Sequence, residues 1–185
     1  MIPANGLLMV PEASSGCLCP FPNACTVVFE PVAAERGWAW SGGAGDPTPV
    51  KRLALNFGAP GDRVDDNGRL WLGYPRHRGS LVRRIDADVS LYPGGQYVIR
   101  DPAFLSVKDT STPWVYRSGA RGLRRLSVPL VGPGDGAARY TVRLAFAETD
   151  GAAAGRRVFG ISLQGRAVAD GVDVAREAGG PNRAL

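Results

Sequence analysis

The chain has 185 residues, 44% of them hydrophobic and 8% aromatic, which is enough for one all-β domain with a core and a further segment that need not fold alone. No stretch approaches the ~20 consecutive apolar residues of a membrane-spanning helix, so we predict no membrane span. The net charge of +5 comes almost entirely from arginines that are spread along the chain, whereas a nucleic-acid interface clusters its charge, so we predict no nucleic-acid partner.

Residues 1–49 are dense in proline, glycine and small residues. Only two short apolar runs, Gly6–Val10 and Cys25–Phe29, resemble strands, and they predict one hairpin. The glycine- and proline-rich stretch that ends this region is typical of a connector that docks at one point. We predict that its Trp38 and Trp40 pack on the next domain rather than bind a ligand.

Three cysteines, Cys17, Cys19 and Cys25, lie near the start of the chain. The first two are too close in sequence to bridge each other without strain, whereas either can reach Cys25 across a tight loop. We predict one disulfide and one spare thiol. Because the single histidine, His77, is far away and there is no second cysteine pair, a cysteine-rich zinc site is not predicted. No other metal and no cofactor is predicted in this chain.

After Val50 the sequence changes to short β-type runs with turns between them about every 8–12 residues, a pattern that predicts a sandwich or barrel. The predicted strands are Arg52–Phe57, Leu70–Gly73, Leu91–Tyr92, Gln96–Ile99, Pro113–Arg117, Leu123–Leu130, Tyr140–Ala147, Val158–Leu163 and Val168–Val174. Two of these strands alternate apolar and other residues, which predicts that each buries one face. The residues predicted to be buried are Val142, Leu144 and Phe146 in one strand and Phe159, Ile161 and Leu163 in the other.

The segments between the predicted strands contain residues that favour turns. The predicted turns are Asp66–Gly68, Pro93–Gly95, Gly132–Gly136 and Gln164–Gly165. The acidic loop Asp62–Gly68 offers oxygen ligands but lacks the bidentate glutamate of an EF-hand, so we predict a polar turn in preference to a calcium site.

Three parts of the chain share their order and spacing with one known family. They are Leu55–Asp62 continuing to Gly68–Tyr74; Tyr140–Glu148; and Gly155–Gly165 with Asp173–Gly179. Together they resemble the malectin-like family of carbohydrate-binding domains, over about residues 50–185. The resemblance implies an all-β, jelly-roll β-sandwich of the galactose-binding-like type that lacks its last strands here. It implies a non-catalytic, lectin-like module whose partner is a glycan or polysaccharide.

The first segment, Ile2–Leu8 with Cys17–Cys19, is similar to the last blade of quinoprotein-like (PQQ-type) β-propellers. Residues 1–49 are accordingly interpreted as a blade remnant plus linker, and residues 50–185 as the malectin-like domain. One hairpin cannot supply a quinone site, because a propeller closes by repeating four-stranded blades. Both ends of the chain resemble cuts and no signal peptide follows Met1, which suggests part of a larger bacterial protein that is extracellular, periplasmic or at the cell surface.

Sugar recognition needs flat aromatic faces and a few planar hydrogen-bonding groups. By these criteria and by the resemblance, the predicted ligand-binding residues are Tyr116, Asp173, Trp114, Tyr74, Ser118 and Arg121. Tyr116 occupies the place of a family tyrosine that precedes an arginine, and Asp173 matches the family's acidic residue after the Gln-Gly turn. The competing interpretations are a core-edge role for Tyr116 and a capping role for Asp173. Tyr92 and Tyr97 are further candidates for the mouth of the site.

The sequence departs from animal malectin at Thr149–Gly151, where that protein has a Tyr-Phe pair, and this removes the stacking platform behind its glucose-disaccharide specificity. Catalysis is not predicted, because a hydrolase triad must recruit His77 and no carboxylate separation for a Glu148–Asp173 glycosidase pair can be deduced from sequence. Two alternative functions remain. They are a structural or interaction domain that caps a neighbouring β-propeller, and the passive tail of a quinoprotein-type oxidoreductase.

Overall fold

The computed structural model describes residues 2–5, 7–10, 27–29, 37–38, 50–76 and 85–185. Predictions that concern Cys17, Cys19, Cys25, Trp40 and His77 lie outside the described residues. The chain divides into two compact units, Met1–Gly37 and Trp38–Leu185. The predicted boundary after residue 49 and its blade-remnant interpretation stay predictions.

Among the described residues of the first unit, three short strands form one antiparallel sheet: β1 (Ile2–Ala4), β2 (Leu7–Val10) and β3 (Val27–Phe29), in the order β1-β2-β3. The pairing of β2 with β3, with Leu8 opposite Phe29, is the hairpin predicted from the two apolar runs. Strand β1 was not predicted, because its three residues include Pro3. A proline is tolerated there because β1 is an edge strand.

The second unit contains seven strands and two one-turn helices among its described residues. The strands are β4 (Leu55–Phe57), β5 (Arg63–Val64), β6 (Leu70–Tyr74), β7 (Asp88–Ile99), β8 (Ser118–Ser127), β9 (Val158–Leu163) and β10 (Arg166–Asp173), and the helices are α1 (Pro113–Tyr116) and α2 (Val174–Glu177). They form a sheet in the order β4-β6-β5, a β7–β8 ribbon and a β9–β10 hairpin. The fold is therefore mostly β, in agreement with the predicted class.

The local turn predictions are confirmed in three places, one of which is Gly132–Gly136, where the amide of Asp135 donates to the carbonyl of Gly132 at 3.0 Å. Strands β5 and β6 pair through a turn that contains Asp66–Gly68, with Val64 opposite Leu70. Strands β9 and β10 form a hairpin with the two-residue loop Gln164–Gly165, whose φ angles of 51° and 81° fit a primed turn.

The predicted turn at Pro93–Gly95 is wrong, because residues 88–99 form the single strand β7. In the ladder Leu91 faces Leu123 and Gln96 faces Arg121, so residues 92–95 bulge out opposite Gly122. The chain does not reverse there, because both flanks of the bulge remain paired with β8.

The predicted strand Pro113–Arg117 is wrong, since residues 113–116 form helix α1. The amide of Val115 donates to the carbonyl of Thr112, and that of Arg117 donates to the carbonyl of Pro113. A proline at the first helical position has a φ angle suited to the helix. Alternation over so few residues did not distinguish one helical turn from a strand.

The predicted strand Tyr140–Ala147 is also not formed. Within it, Phe146 exchanges two backbone hydrogen bonds with Leu185, of 3.0 and 2.9 Å. The predicted burial is wrong for Val142 and Leu144, which are 53% and 47% exposed, and on β9 for Phe159 and Leu163, which are 37% and 38% exposed. A strand face becomes buried only where another layer covers it.

Candidate functional site

One face of the β7–β8 ribbon carries Tyr97, which belongs to a cluster of three aromatic rings. The Tyr97 ring stacks with that of Phe57 at 6.3 Å between centroids, and Tyr74 meets both rings edge-on at 5.9 and 5.7 Å. Burial raises the pKa of Tyr74 and of Tyr97, so both hydroxyls stay neutral and can donate hydrogen bonds. The predicted residue Tyr74 is thus half-buried, with one side supported by two other rings.

The predicted residue Ser118 begins β8 and is buried on the same side of the ribbon. Its hydroxyl donates to Oδ1 of Asn56 on β4 at 2.8 Å, and Asn56 is 2% exposed. Because Asn56 and Phe57 are neighbours in β4, Ser118 and Tyr74 are both held by the same strand. Ser118 and Tyr74 are thus two of the six predicted residues whose side chains contact neighbouring residues of the same strand, β4.

The predicted residue Trp114 is buried on helix α1 among other aromatic rings. It meets Trp38 and Trp71 edge-on, with centroids at 5.6 and 5.9 Å, and the guanidinium of Arg63 lies 4.9 Å from its centroid. Trp38 therefore packs within the second unit, as we predicted for the connector. Tyr116, two residues after Trp114, is half-exposed at the end of the helix, and its hydroxyl is engaged in no hydrogen bond within the described part of the chain.

On the opposite face of the ribbon, two of its arginines and a third from the segment before β9 surround one carboxylate. Arg100, at the end of β7, and Arg121, on β8, both bind the carboxylate of Asp150. Nη1 of Arg157 donates to Asp150 at 2.7 Å and to Glu148 at 2.8 Å. We call these three arginines the arginine clasp. It ties residues 148–157 to the ribbon.

The charges of the clasp determine the ionisation of Asp150. Burial by itself raises the pKa of Asp150, but hydrogen bonds from Arg157 and Arg100 and the charge of Arg121 outweigh it and leave the pKa lowered. Glu148, 5% exposed, accepts from the amides of Asp150 and Ala152 as well as from Arg157. Both carboxylates are therefore engaged by N–H donors. Of these residues, the sequence predictions included only Arg121 as a ligand-binding residue.

The predicted residue Asp173 caps helix α2. Its Oδ1 accepts from the amide of Arg176 at 3.2 Å, and its Oδ2 accepts from the amide of Gly155 at 2.6 Å. Its own amide donates to Oε1 of Glu177 at 3.1 Å, which gives a reciprocal cap. The hydrogen bond from Gly155, followed by that from Arg176, holds the pKa of Asp173 below its ordinary value. This geometry is the capping role that competed with ligand contact.

Replacing Asp173 with alanine is expected to lower the melting temperature by about 2–4 °C at pH 7, since a helix cap is lost. The folded state lowers the pKa of Asp173, so its contribution is present above the unfolded pKa and is lost as pH falls through the folded value. The difference between variant and wild type should therefore shrink below about pH 4. Asp170→Ala, on the exposed part of the same strand, is the control. A constant difference from pH 7 to pH 3 contradicts the cap.

The acidic loop is a hydrogen-bonded turn. The carboxylate of Asp65 accepts from the amides of Asn67 and Arg69 and from Nε1 of Trp71, all at about 3 Å. The carboxylate of Asp62 accepts from the amide of Gly73 and from Arg76. N–H donors thus hold the carboxylates of both residues within the turn, and the described residues contain no group of three metal-ligating side chains.

The six predicted residues therefore have four kinds of surroundings. Tyr74 and Ser118 lie against β4, Trp114 is packed among tryptophans with Tyr116 at its edge, Arg121 belongs to the arginine clasp, and Asp173 caps α2. Tyr116, Tyr74 and Arg121 are the half-exposed members of the set.

A family model of the malectin domain matches residues 85–185, which is more than half of the chain, and the chain therefore belongs to the malectin domain family. No curated protein and no solved structure gives a significant match. Malectin domains are carbohydrate-binding and non-catalytic, and are typically extracellular. Membership thus suggests that this chain binds carbohydrate. No helix in the described residues is long and apolar enough to cross a membrane.

Proposed function

We propose that this chain is a non-catalytic carbohydrate-binding module of a larger secreted or cell-surface bacterial protein. The observation that carries the proposal is the match of residues 85–185 to the malectin domain. Binding uses aromatic stacking and hydrogen bonds in a shallow site of a jelly-roll sandwich. Because such a site buries little area, one module binds its sugar with an affinity of the order of micromolar to millimolar.

Tyr116 is the leading contact residue of the proposed site. Tyr116 is half-exposed. Trp114 and Ser118, which lie two residues before and two residues after it, are buried, with exposed fractions of only 9% and 8%. The packing of Trp114 and the hydrogen bond of Ser118 hold the backbone on both sides of Tyr116, so its ring is presented from a rigid support. Tyr74 and Arg121 supply further half-exposed stacking and hydrogen-bonding groups.

Asp173 has a supporting role in this proposal. Its two carboxylate oxygens accept amide hydrogen bonds from Arg176 and Gly155, which joins the start of α2 to the loop before β9. This bracing fixes the same loop that the arginine clasp ties to the ribbon.

A second candidate function is a structural domain that caps a neighbouring β-propeller. The specific observation in its favour is the burial of Trp114 between Trp38 and Trp71, which leaves that ring unavailable to a sugar. The half-exposed ring of Tyr116 favours the carbohydrate-binding proposal.

The test is a glycan-array screen of the full chain beside Tyr116→Ala, with folding checked by thermal melting. We expect the wild type to retain a defined class of glycan and Tyr116→Ala to lose about tenfold or more of that binding. Tyr140→Ala, a tyrosine that is 42% exposed elsewhere on the second unit, is the matched control and should bind normally. If the folded wild type retains no glycan, the capping function replaces the proposal.

A further inference from the structure

The β7–β8 ladder is interrupted twice at one place, and each interruption adds residues to a different strand. Ser90 faces Arg125 and Leu91 faces Leu123, so Arg124 is an extra residue on β8. Immediately beyond, four residues of β7, 92–95, lie opposite the single residue Gly122 of β8. We call this place the double bulge. Bulges re-aim side chains and are enriched next to functional sites.

The side chains that the double bulge adds meet at the protein surface. The guanidinium carbon of Arg124 lies 5.8 Å from the ring centroid of Tyr92. Tyr92 is 57% exposed, and Arg124 is exposed as well. An aromatic ring and a cation are thus presented side by side to solvent.

The charge at the double bulge is unbalanced. Strand β8 carries Arg121, Arg124 and Arg125 and no acidic residue. Arg121 binds Asp150 in the arginine clasp, whereas Arg124 and Arg125 form no ion pair among residues 50–76 and 85–185. The guanidinium beside the Tyr92 ring is therefore available to an anion.

Two glycines, Gly95 and Gly122, approach each other closely and so determine the backbone conformation of the double bulge. A Cβ on Gly95 would lie 2.8 Å from Cβ of Leu91 and 2.9 Å from the carbonyl oxygen of Arg121. Gly122 has a φ of 69°, and a Cβ there would lie 3.2 Å from Cα of Gly95. Because only glycine fits at both positions, the strands hold Tyr92 in a defined place, and less ordering is required on binding.

We propose that Tyr92 and Arg124 form a second glycan-contact site, specific for a pyranose that carries an anionic group, either a carboxylate or a sulfate. The C–H face of the sugar stacks on the exposed Tyr92 ring. The Arg124 guanidinium donates two parallel hydrogen bonds to the anionic group. The inference rests on the proposed carbohydrate binding and adds the charge class of the ligand.

The test measures binding of three probes to the full chain at low ionic strength: an oligogalacturonide, which carries only carboxylates, a carrageenan oligosaccharide, which carries only sulfates, and a neutral maltooligosaccharide. We expect one of the acidic probes to bind, which also identifies carboxylate or sulfate as the anion. Tyr92→Ala and Arg124→Ala should each weaken that binding about fivefold to tenfold. Tyr92→Phe, which keeps the ring, and Arg125→Ala, which removes the neighbouring exposed cation, should leave it unchanged.

Three outcomes overturn the inference. If Arg125→Ala weakens binding of the acidic probe as much as Arg124→Ala does, the binding is general charge attraction and no specific site exists. If a single-stranded oligonucleotide binds more tightly than either acidic probe, the ligand is not a glycan. If neutral glycans bind normally while acidic ones do not, the second site fails and the proposed carbohydrate binding stands. If the chain is folded and none of the glycans binds, the proposed function itself is overturned.

Discussion

Replacing Gly58 with alanine is expected to destabilise the second unit by about 3 kcal/mol or more. Gly58 follows β4 with a φ of 71°, a conformation that side chains other than glycine's rarely adopt. An added Cβ would overlap the carbonyl oxygen of Val98 and lie 3.0 Å from that of Gly119. These are backbone atoms of β7 and β8, so neither can yield without separating the ribbon from β4.

Gly68→Ala is the matched control for this substitution. Gly68 has a φ of 75°, but no atom lies within 4 Å of an added Cβ. It should therefore carry only the conformational cost, about 1–2 kcal/mol. Urea unfolding of both variants measures the difference. Equal destabilisation would mean that β4 does not approach the ribbon as closely as described.

Replacing Asp62 with asparagine is expected to cost about 3–5 kcal/mol of unfolding free energy, the range for breaking a buried ion pair. Asp62 is 1% exposed, and the Arg76 side chain is 8% exposed. The carboxylate accepts from both Nη atoms of Arg76, at 2.7 and 3.1 Å, and from the amide of Gly73 at 3.0 Å. Asparagine keeps the volume but removes the charge that both nitrogens bind.

Asp86→Asn, at an exposed position, is the control and should change stability by less than about 0.5 kcal/mol. The double variant Asp62→Asn with Arg76→Leu should recover part of the loss, because the cation that needs the carboxylate is removed as well. Denaturant unfolding of the wild type, the single variants Asp62→Asn and Arg76→Leu, and the double variant forms a double-mutant cycle. A loss for Asp62→Asn no larger than that for Asp86→Asn would contradict a buried pair.

Both substitutions act on the layer that presents Tyr74. Gly58 donates its amide hydrogen to the carbonyl of Tyr74 at 2.6 Å, and Asp62 holds the amide of Gly73, one residue before it. The loop before β5 thus sets the position of a proposed contact residue. From the sequence this loop is predicted only as a polar turn, because its long-range acceptor role depends on where β6 ends.

Local chemistry accounts for the features that were predicted correctly. The β9 bounds Val158–Leu163 and the Gln164–Gly165 turn follow from a few adjacent residues. The family was also recognised from sequence, because its motifs preserve their order along the chain, and the match over residues 85–185 confirms it. These signals do not depend on how distant segments pack.

The features that could not be predicted from the sequence depend on tertiary packing. Alternation in Tyr140–Ala147 is typical of a strand, yet a strand needs a hydrogen-bonded partner, and along that run the described partner is Leu185, at Phe146. The arginine clasp joins Asp150 to Arg100 and Arg121, which lie 50 and 29 residues away. The amino-acid sequence by itself thus determined the β-rich class, the short turns and the malectin family. The tertiary structure decided which faces are covered and which charges meet, because burial and ion pairing depend on segments far apart in the chain.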